Sequence, residues 1–157
     1  FIGSDYVILP VLGLVVALLV RARRIRESVF LTVAVTGSVA LNWIMKLTFQ
    51  RPRPKLPWAH VPPDFSFPSG HSMNSFVLFV GLAVLAWVVF GRRIGILALS
   101  VALGLVFLIG TSRIYLGYHY FTDVIGGVAA GLVWILIVGG ALHFGPWVAS
   151  WRRPSGG

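Results

Sequence analysis

Between two apolar runs, Ile94–Gly110 and Val124–Val138, the chain reads Ser112-Arg113-Ile114-Tyr115-Leu116-Gly117-Tyr118-His119-Tyr120-Phe121-Thr122-Asp123. An arginine, a histidine and an aspartate thus fall in one short interval of a chain that otherwise avoids charge. If a helix begins near His119, then His119 and Asp123 stand at i and i+4 on one face. A carboxylate there can accept the proton of one imidazole nitrogen and leave the other free to act. The plainer reading is an interfacial cluster, with Arg113 at a helix end and Asp123 capping the next helix.

A second chemistry-bearing stretch is Lys46-Leu47-Thr48-Phe49-Gln50-Arg51-Pro52-Arg53-Pro54. Lysine as a point charge and arginine as a bidentate fork are the groups that hold phosphate, although cations at a helix end also snorkel to lipid headgroups. A third is Phe67-Pro68-Ser69-Gly70-His71-Ser72. Ser69 is a natural N-cap and Gly70 allows close backbone approach, so the amides of this helix start can face an anion with His71 beside it. Its plainer reading is a capped helix with an incidental histidine.

The elements that must position these residues follow from composition. The chain of 157 residues is 57% hydrophobic and 11% charged, with a mean hydropathy of +0.90. A soluble domain of this size cannot bury so much apolar side chain, so lipid is the solvent for most of it. An all-helical transmembrane bundle is the predicted fold. The apolar runs are Tyr6–Val20, Ser28–Met45, His71–Phe90, Ile94–Gly110 and Asp123–His143. Each strong run approaches the roughly 20 residues needed to cross a bilayer core, and Tyr6–Val20, short and carrying Pro10, is the weakest. Between the second and third lies the proline-rich loop Gln50–Gly70, whose prolines forbid a continuous helix. Neither an internal repeat nor a second domain is visible, and the absence of cysteine excludes disulfides and thiolate chemistry.

The net charge is +9, clustered rather than spread over a face; this argues for topology signals and an anion site and against a nucleic-acid partner. If the spans alternate, Arg21, Arg23, Arg24, Arg26, Arg92, Arg93, Arg152 and Arg153 share one side, cytoplasmic by the positive-inside rule. The Gln50–Gly70 loop and the Ser112–Asp123 stretch then meet on the outer side. Arg51, Arg53, Lys55 and Arg113 break the charge bias there, which marks them as retained for another purpose. Cations, backbone donors, two histidines and a carboxylate on one face are an inventory for phosphoryl transfer through a histidine nucleophile.

Taken together, Lys46 with six residues before Arg53-Pro54, then Pro68-Ser69-Gly70-His71, then Ser112-Arg113 with five residues before His119 and three more before Asp123 resemble the three-part signature of the type 2 phosphatidic acid phosphatase family. Its soluble relatives include acid phosphatases and vanadium haloperoxidases. The resemblance covers nearly the whole chain and implies that His119 is the nucleophile of a phosphohistidine intermediate, that Asp123 orients it, and that His71 protonates the leaving group. It further implies that Lys46, Arg53 and Arg113 bind phosphate with donors from Ser69 and Gly70, and that no metal or other cofactor takes part. Arg51 lies outside the pattern and receives no role. Lipid-acting members usually have six spans against the five visible here, so a helix before Phe1 is expected, within one membrane phosphatase domain over residues 1–157.

Two competing readings remain at this level. One is a metal-dependent hydrolase using His71, His119, Asp123 and Asp64, which the nearby cations make electrostatically awkward. The other is a non-enzymatic lipid-phosphate or anion binder or transporter, although no ionisable residue marks the middle of a span. His60 and Asp64 read as solvated loop residues, with contact to a headgroup as the alternative; Trp58, Phe65 and Phe67 as interfacial anchors; His143, Trp147 and Trp151 as interface residues. The expected partners are membrane lipids and a phosphorylated lipid substrate at the outer face of a bacterial plasma membrane: undecaprenyl diphosphate, phosphatidylglycerophosphate or phosphatidic acid.

Overall fold

The computed structural model describes residues 3–55, 57 and 63–142. His60, Trp58, His143, Trp147, Trp151, Arg152 and Arg153 lie outside the described residues. Five α-helices follow one another: α1 (Asp5–Arg21), α2 (Ile25–Phe49), α3 (Gly70–Phe90), α4 (Arg92–Tyr115) and α5 (Phe121–Ala141). Helices α2 to α5 are each long and apolar enough to cross a membrane. The first predicted span, Tyr6–Val20, is shorter than that: α1 has 17 residues and runs unbroken through Pro10.

Two helices run past the C-terminal end of their apolar run by a turn or more, for a physical reason. α4 continues past Gly110 through Thr111–Tyr115, so Arg113 sits in its last turn, because backbone hydrogen bonding does not stop where hydrophobicity does. α2 ends at Phe49, where Gln50 adopts the left-handed conformation (φ 46°, ψ 33°) just before the prolines that prevent continuation.

α3 is the central helix and packs against each of the other four. Its core contacts gather Ile8 and Leu12 of α1, Phe30, Leu31 and Val35 of α2, Val77 and Leu78 of α3, Val106 of α4, and Ile135 and Val138 of α5. Outward-facing positions on all five helices carry large apolar side chains, among them Leu14, Ile44, Phe90, Phe107 and Leu136, as expected where the surrounding solvent is lipid. Polar groups inside the bundle are matched: Ser38 Oγ donates to Asn74 Oδ1 (3.1 Å) between α2 and α3, and Trp134 Nε1 donates to the Ala34 carbonyl (2.8 Å) between α5 and α2. Such pairing is required where no water can substitute.

α5 approaches α3 through Gly127 and Gly131, two glycines four residues apart and so on one helix face. A Cβ on Gly127 would lie 2.7 Å from the Ser69 carbonyl oxygen, and one on Gly131 3.2 Å from that of Met73. These contacts press the start of α5 against the start of α3. Alternation of the helices then puts the C-terminal ends of α2 and α4, the N-terminal ends of α3 and α5, and the loop after α2 at one end of the bundle. Arg21–Arg26 and Arg92–Arg93 occupy the other.

Candidate active site

Backbone contacts join the three motif-bearing segments directly. The Ser69 amide donates to the Asp123 carbonyl (3.0 Å), and the Ser66 amide to that of Arg51 (2.8 Å). Asn42 Nδ2 reaches the Pro68 carbonyl at 3.4 Å, so α2 also holds the entry to α3. The Phe67–Pro68 bond is cis. Ser69 caps α3 as its residue type predicts, its side chain accepting from the Ser72 amide (3.4 Å) and from Ser72 Oγ (3.0 Å).

His119 does not lie within a helix. α5 starts at Phe121, after an extended Tyr120 (φ −72°, ψ 157°), so His119 and Asp123 do not share a helical face. The two meet because the Asp123 side chain folds back over the helix start, where Oδ2 accepts from the Tyr120 amide (2.9 Å). Asp123 therefore caps α5, as the plainer reading had it, and also faces the histidine. Its Oδ2 stands 3.6 Å from His119 Nδ1, beyond N–H···O range, and Nδ1 is buried without a hydrogen-bond partner.

The other ring nitrogen, Nε2, lies 3.3 Å from Arg53 Nη1. Arginine can only donate, so Nε2 is the acceptor and the ring proton belongs on Nδ1, aimed at Asp123. A contraction of about half an ångström would close that second bond. Burial holds His119 below the ordinary imidazole pKa of 6.5; the Asp123 carboxylate opposes this, while Arg53 and Lys46 reinforce it. The ring is thereby kept neutral, with its Nε2 lone pair available.

Lys46 and Arg53 converge on the same place, each side chain 8% exposed, but they do not stand open to solvent. Asp64 bridges them. Its Oδ2 accepts from Lys46 Nζ (2.8 Å), and its Oδ1 from Arg53 Nε (2.9 Å) and Nη2 (2.5 Å). Lys46 also donates to the Phe65 carbonyl, and Arg53 Nη1 to that of Tyr118 (2.7 Å). Asp64 is thus not the solvated loop residue expected. Burial alone would raise its pKa, yet the hydrogen bonds and charges of Lys46 and Arg53 prevail and hold it below the usual carboxylate value.

Arg51, to which no role was given, is tied to Asp123: Nη1 donates to Asp123 Oδ1 (2.8 Å) and to Thr122 Oγ1 (2.7 Å), and the guanidinium lies 4.2 Å from the Tyr120 ring centroid. Arg113 is held by Ser112 Oγ (3.2 Å) and by the Tyr118 ring at 5.7 Å. Among the described residues no carboxylate pairs with it. His71, in the first turn of α3, stands within electrostatic reach of Arg113, His119 and Arg53. The structure therefore brings together Lys46, Arg53, Ser69, Gly70, His71, Arg113, His119 and Asp123, and adds Arg51 and Asp64. The competing metal-ligand set does not form: Asp64 is committed to cations, and among the described residues no three His, Asp or Glu side chains gather as ligands.

The chain is similar to known proteins. The chain is 30% identical over 142 residues to phosphatidylglycerophosphatase B of Bacillus subtilis, an alignment covering 88% of this chain and 70% of that protein. It is also 30% identical over 139 residues to the putative undecaprenyl-diphosphatase YbjG of Escherichia coli, covering 85% and 66%. The crystal structure of a transmembrane PAP2-type phosphatidylglycerolphosphate phosphatase from Bacillus subtilis superposes with a TM-score of 0.82 at 27% identity, over 99% of this chain and 75% of that one. Residues 27–144 match the PAP2 superfamily, and the chain, an integral-membrane helical bundle, belongs to that family.

Proposed function

We propose that the chain is a metal-independent lipid phosphate phosphatase that works through a phosphohistidine at His119. The observation that carries this reading is the pairing of His119 Nε2 with Arg53 Nη1 at 3.3 Å, with Asp123 behind the opposite ring nitrogen at 3.6 Å. A neutral imidazole is thereby aimed at the position where Arg53 would hold a phosphate.

In the first step Nε2 attacks phosphorus in line as the bond to the leaving oxygen breaks, and His71 gives that oxygen its proton. The imidazolium formed at His119 is stabilised by Asp123 through Nδ1–H. Lys46, Arg53 and Arg113 neutralise the charge on the three equatorial oxygens, with Ser69 and Gly70 contributing at the start of α3. In the second step water attacks phosphorus, His71 takes its proton, the N–P bond breaks and orthophosphate leaves.

The relatives' names supply the substrate class. A phosphatidylglycerophosphatase and an undecaprenyl-diphosphatase both act on a phosphate carried by a membrane lipid, and phosphatidylglycerophosphate, undecaprenyl diphosphate and phosphatidic acid all suit a cation-lined site at the end of a bundle. The Arg21–Arg26 and Arg92–Arg93 clusters at the opposite end support an outward-facing site in a bacterial plasma membrane. Phosphate release from these three lipids by purified protein tests the activity. Acid-labile, base-stable labelling by a 32P-lipid, lost in His119→Ala, tests the intermediate. Hydrolysis by His119→Ala at the wild-type rate would overturn the reading.

A further inference from the structure

The carboxylate of Asp64 engages the very groups assigned to the substrate phosphate. One oxygen sits on Lys46 Nζ and the other on Arg53 Nε and Nη2. The remaining Arg53 nitrogen, Nη1, reaches His119 Nε2. An anion placed on Lys46 and Arg53 beside the nucleophile is where a phosphate must go for in-line attack. We propose that Asp64 is an internal stand-in for the substrate phosphate and a specificity-determining residue, which selects dianionic phosphomonoester and diphosphate headgroups over monoanionic phosphodiester headgroups. This rests on the phosphatase reading above.

The exposures of the three side chains say which one moves. Lys46 and Arg53 are 8% exposed and Asp64 is 35% exposed, so the carboxylate is the partner that can withdraw to water. Two buried cations left without an anion are strongly unfavourable. The carboxylate is therefore exchanged for another anion rather than simply released, and its depressed pKa keeps it charged as the resident competitor.

Selectivity follows from the charge balance of the exchange. A phosphodiester headgroup carries one negative charge, like the carboxylate it would displace, and gains nothing in Coulomb energy. A phosphomonoester carries about −1.5 to −2 at neutral pH and presents three acceptor oxygens, so it outcompetes the carboxylate. Arg113, which no carboxylate among the described residues pairs with, supplies a further donor that Asp64 does not use. At a membrane surface crowded with phosphodiester lipids, an uncovered pair of cations would be occupied by the wrong headgroup; a resident carboxylate prevents this.

The test compares two small anions, methylphosphonate and its monomethyl ester, at mildly alkaline pH. Their inhibition of phosphatidic acid hydrolysis is measured with the wild type and with Asp64→Asn. The wild type is expected to bind the dianion well and the ester poorly. In Asp64→Asn the ester's inhibition constant is expected to fall by about tenfold, the scale of one charge-assisted contact. Equal binding of both anions by the wild type overturns the proposal, whatever the variant's folding. So does a variant in which kcat drops while the ester binds no better, since Asp64 would then merely hold the cations in place. Calorimetric titration of the two anions reads the same preference without turnover, so an absence of lipid hydrolysis would count against the phosphatase reading and leave the role of Asp64 separately decided.

Discussion

Arg51 Nη1 donates to Asp123 Oδ1 at 2.8 Å, so the carboxylate facing His119 is shared between an arginine and the start of α5. One oxygen belongs to Arg51. The other accepts from the Tyr120 amide and looks toward His119. Arg51 thus fixes the rotation of the carboxylate about its own axis and leaves Oδ2 directed at the imidazole. Arg51→Ala is expected to lower kcat by about tenfold with little change in KM, as for loss of one charge-assisted hydrogen bond that acts through Asp123. Its effect should largely vanish in an Asp123→Ala background, because the two residues act as one unit. Additive losses in that double-mutant cycle would show that Arg51 acts elsewhere.

His71 and His119 should differ in how their loss depends on the leaving group. His119→Ala should abolish turnover for every phosphate ester. His71→Ala should slow lipid hydrolysis by about 10²–10⁴-fold, the usual range for a general acid, and slow p-nitrophenyl phosphate much less, because nitrophenolate departs without a proton. Equal losses on both substrates would remove His71 from the role of acid.

The ionisation of His119 has a definite direction. Burial disfavours the imidazolium, Asp123 favours it, and Arg53 and Lys46 disfavour it further, with the net pKa below 6.5. The neutral, attacking form therefore persists to lower pH than for an ordinary histidine and is lost only as pH falls through the depressed value. Titration of the His119 ring by NMR should place its midpoint below 6.5, free of interference from the substrate's own ionisation. Asp123→Asn removes a group that favours the charged ring, so the midpoint should move lower still; an upward shift would contradict the assigned geometry.

Close packing at Gly127 makes a stability prediction. A Cβ there would meet the Ser69 carbonyl at 2.7 Å, a backbone atom that cannot rotate away. Gly127→Ala should destabilise the bundle by about 1–3 kcal/mol, as overpacking does, and should lower activity by shifting the start of α3. Gly104→Ala, with nothing within 4 Å of the added carbon, is the control and should leave both unchanged. Thermal unfolding in detergent, followed beside phosphate release, reads both effects.

How far the site was legible in the sequence varied with the kind of residue. His71, His119, Asp123, Lys46, Arg53 and Arg113 stand out as candidates because each lies near a helix end, and hydropathy locates helix ends to within a turn or two. The partners of Asp64 and Arg51 are not legible because both residues lie in the proline-rich loop, which has no periodicity from which a partner could be read. The only usable hint was arithmetic: with four acidic residues against thirteen Lys and Arg in the chain, a carboxylate in a loop with Arg51, Arg53 and Lys55 had several cations to choose from. Capping by Asp123 is legible in the sequence, whereas the N-cap position itself, Tyr120, is not, because tyrosine is no N-cap signal.

The single hydrogen bond from the Ser69 amide to the Asp123 carbonyl divides the site mechanically. It fastens the helix start that carries His71 to the one that carries Asp123, with Gly127 wedged against the same turn, so these two side chains share one frame, to which Arg51 is also tied. Asp64 belongs instead to the segment between α2 and α3. If Asp64 selects the headgroup as proposed, a substitution there retunes which headgroup is accepted while the frame keeps its alignment, and a change of substrate among related chains need not require a change in the reaction.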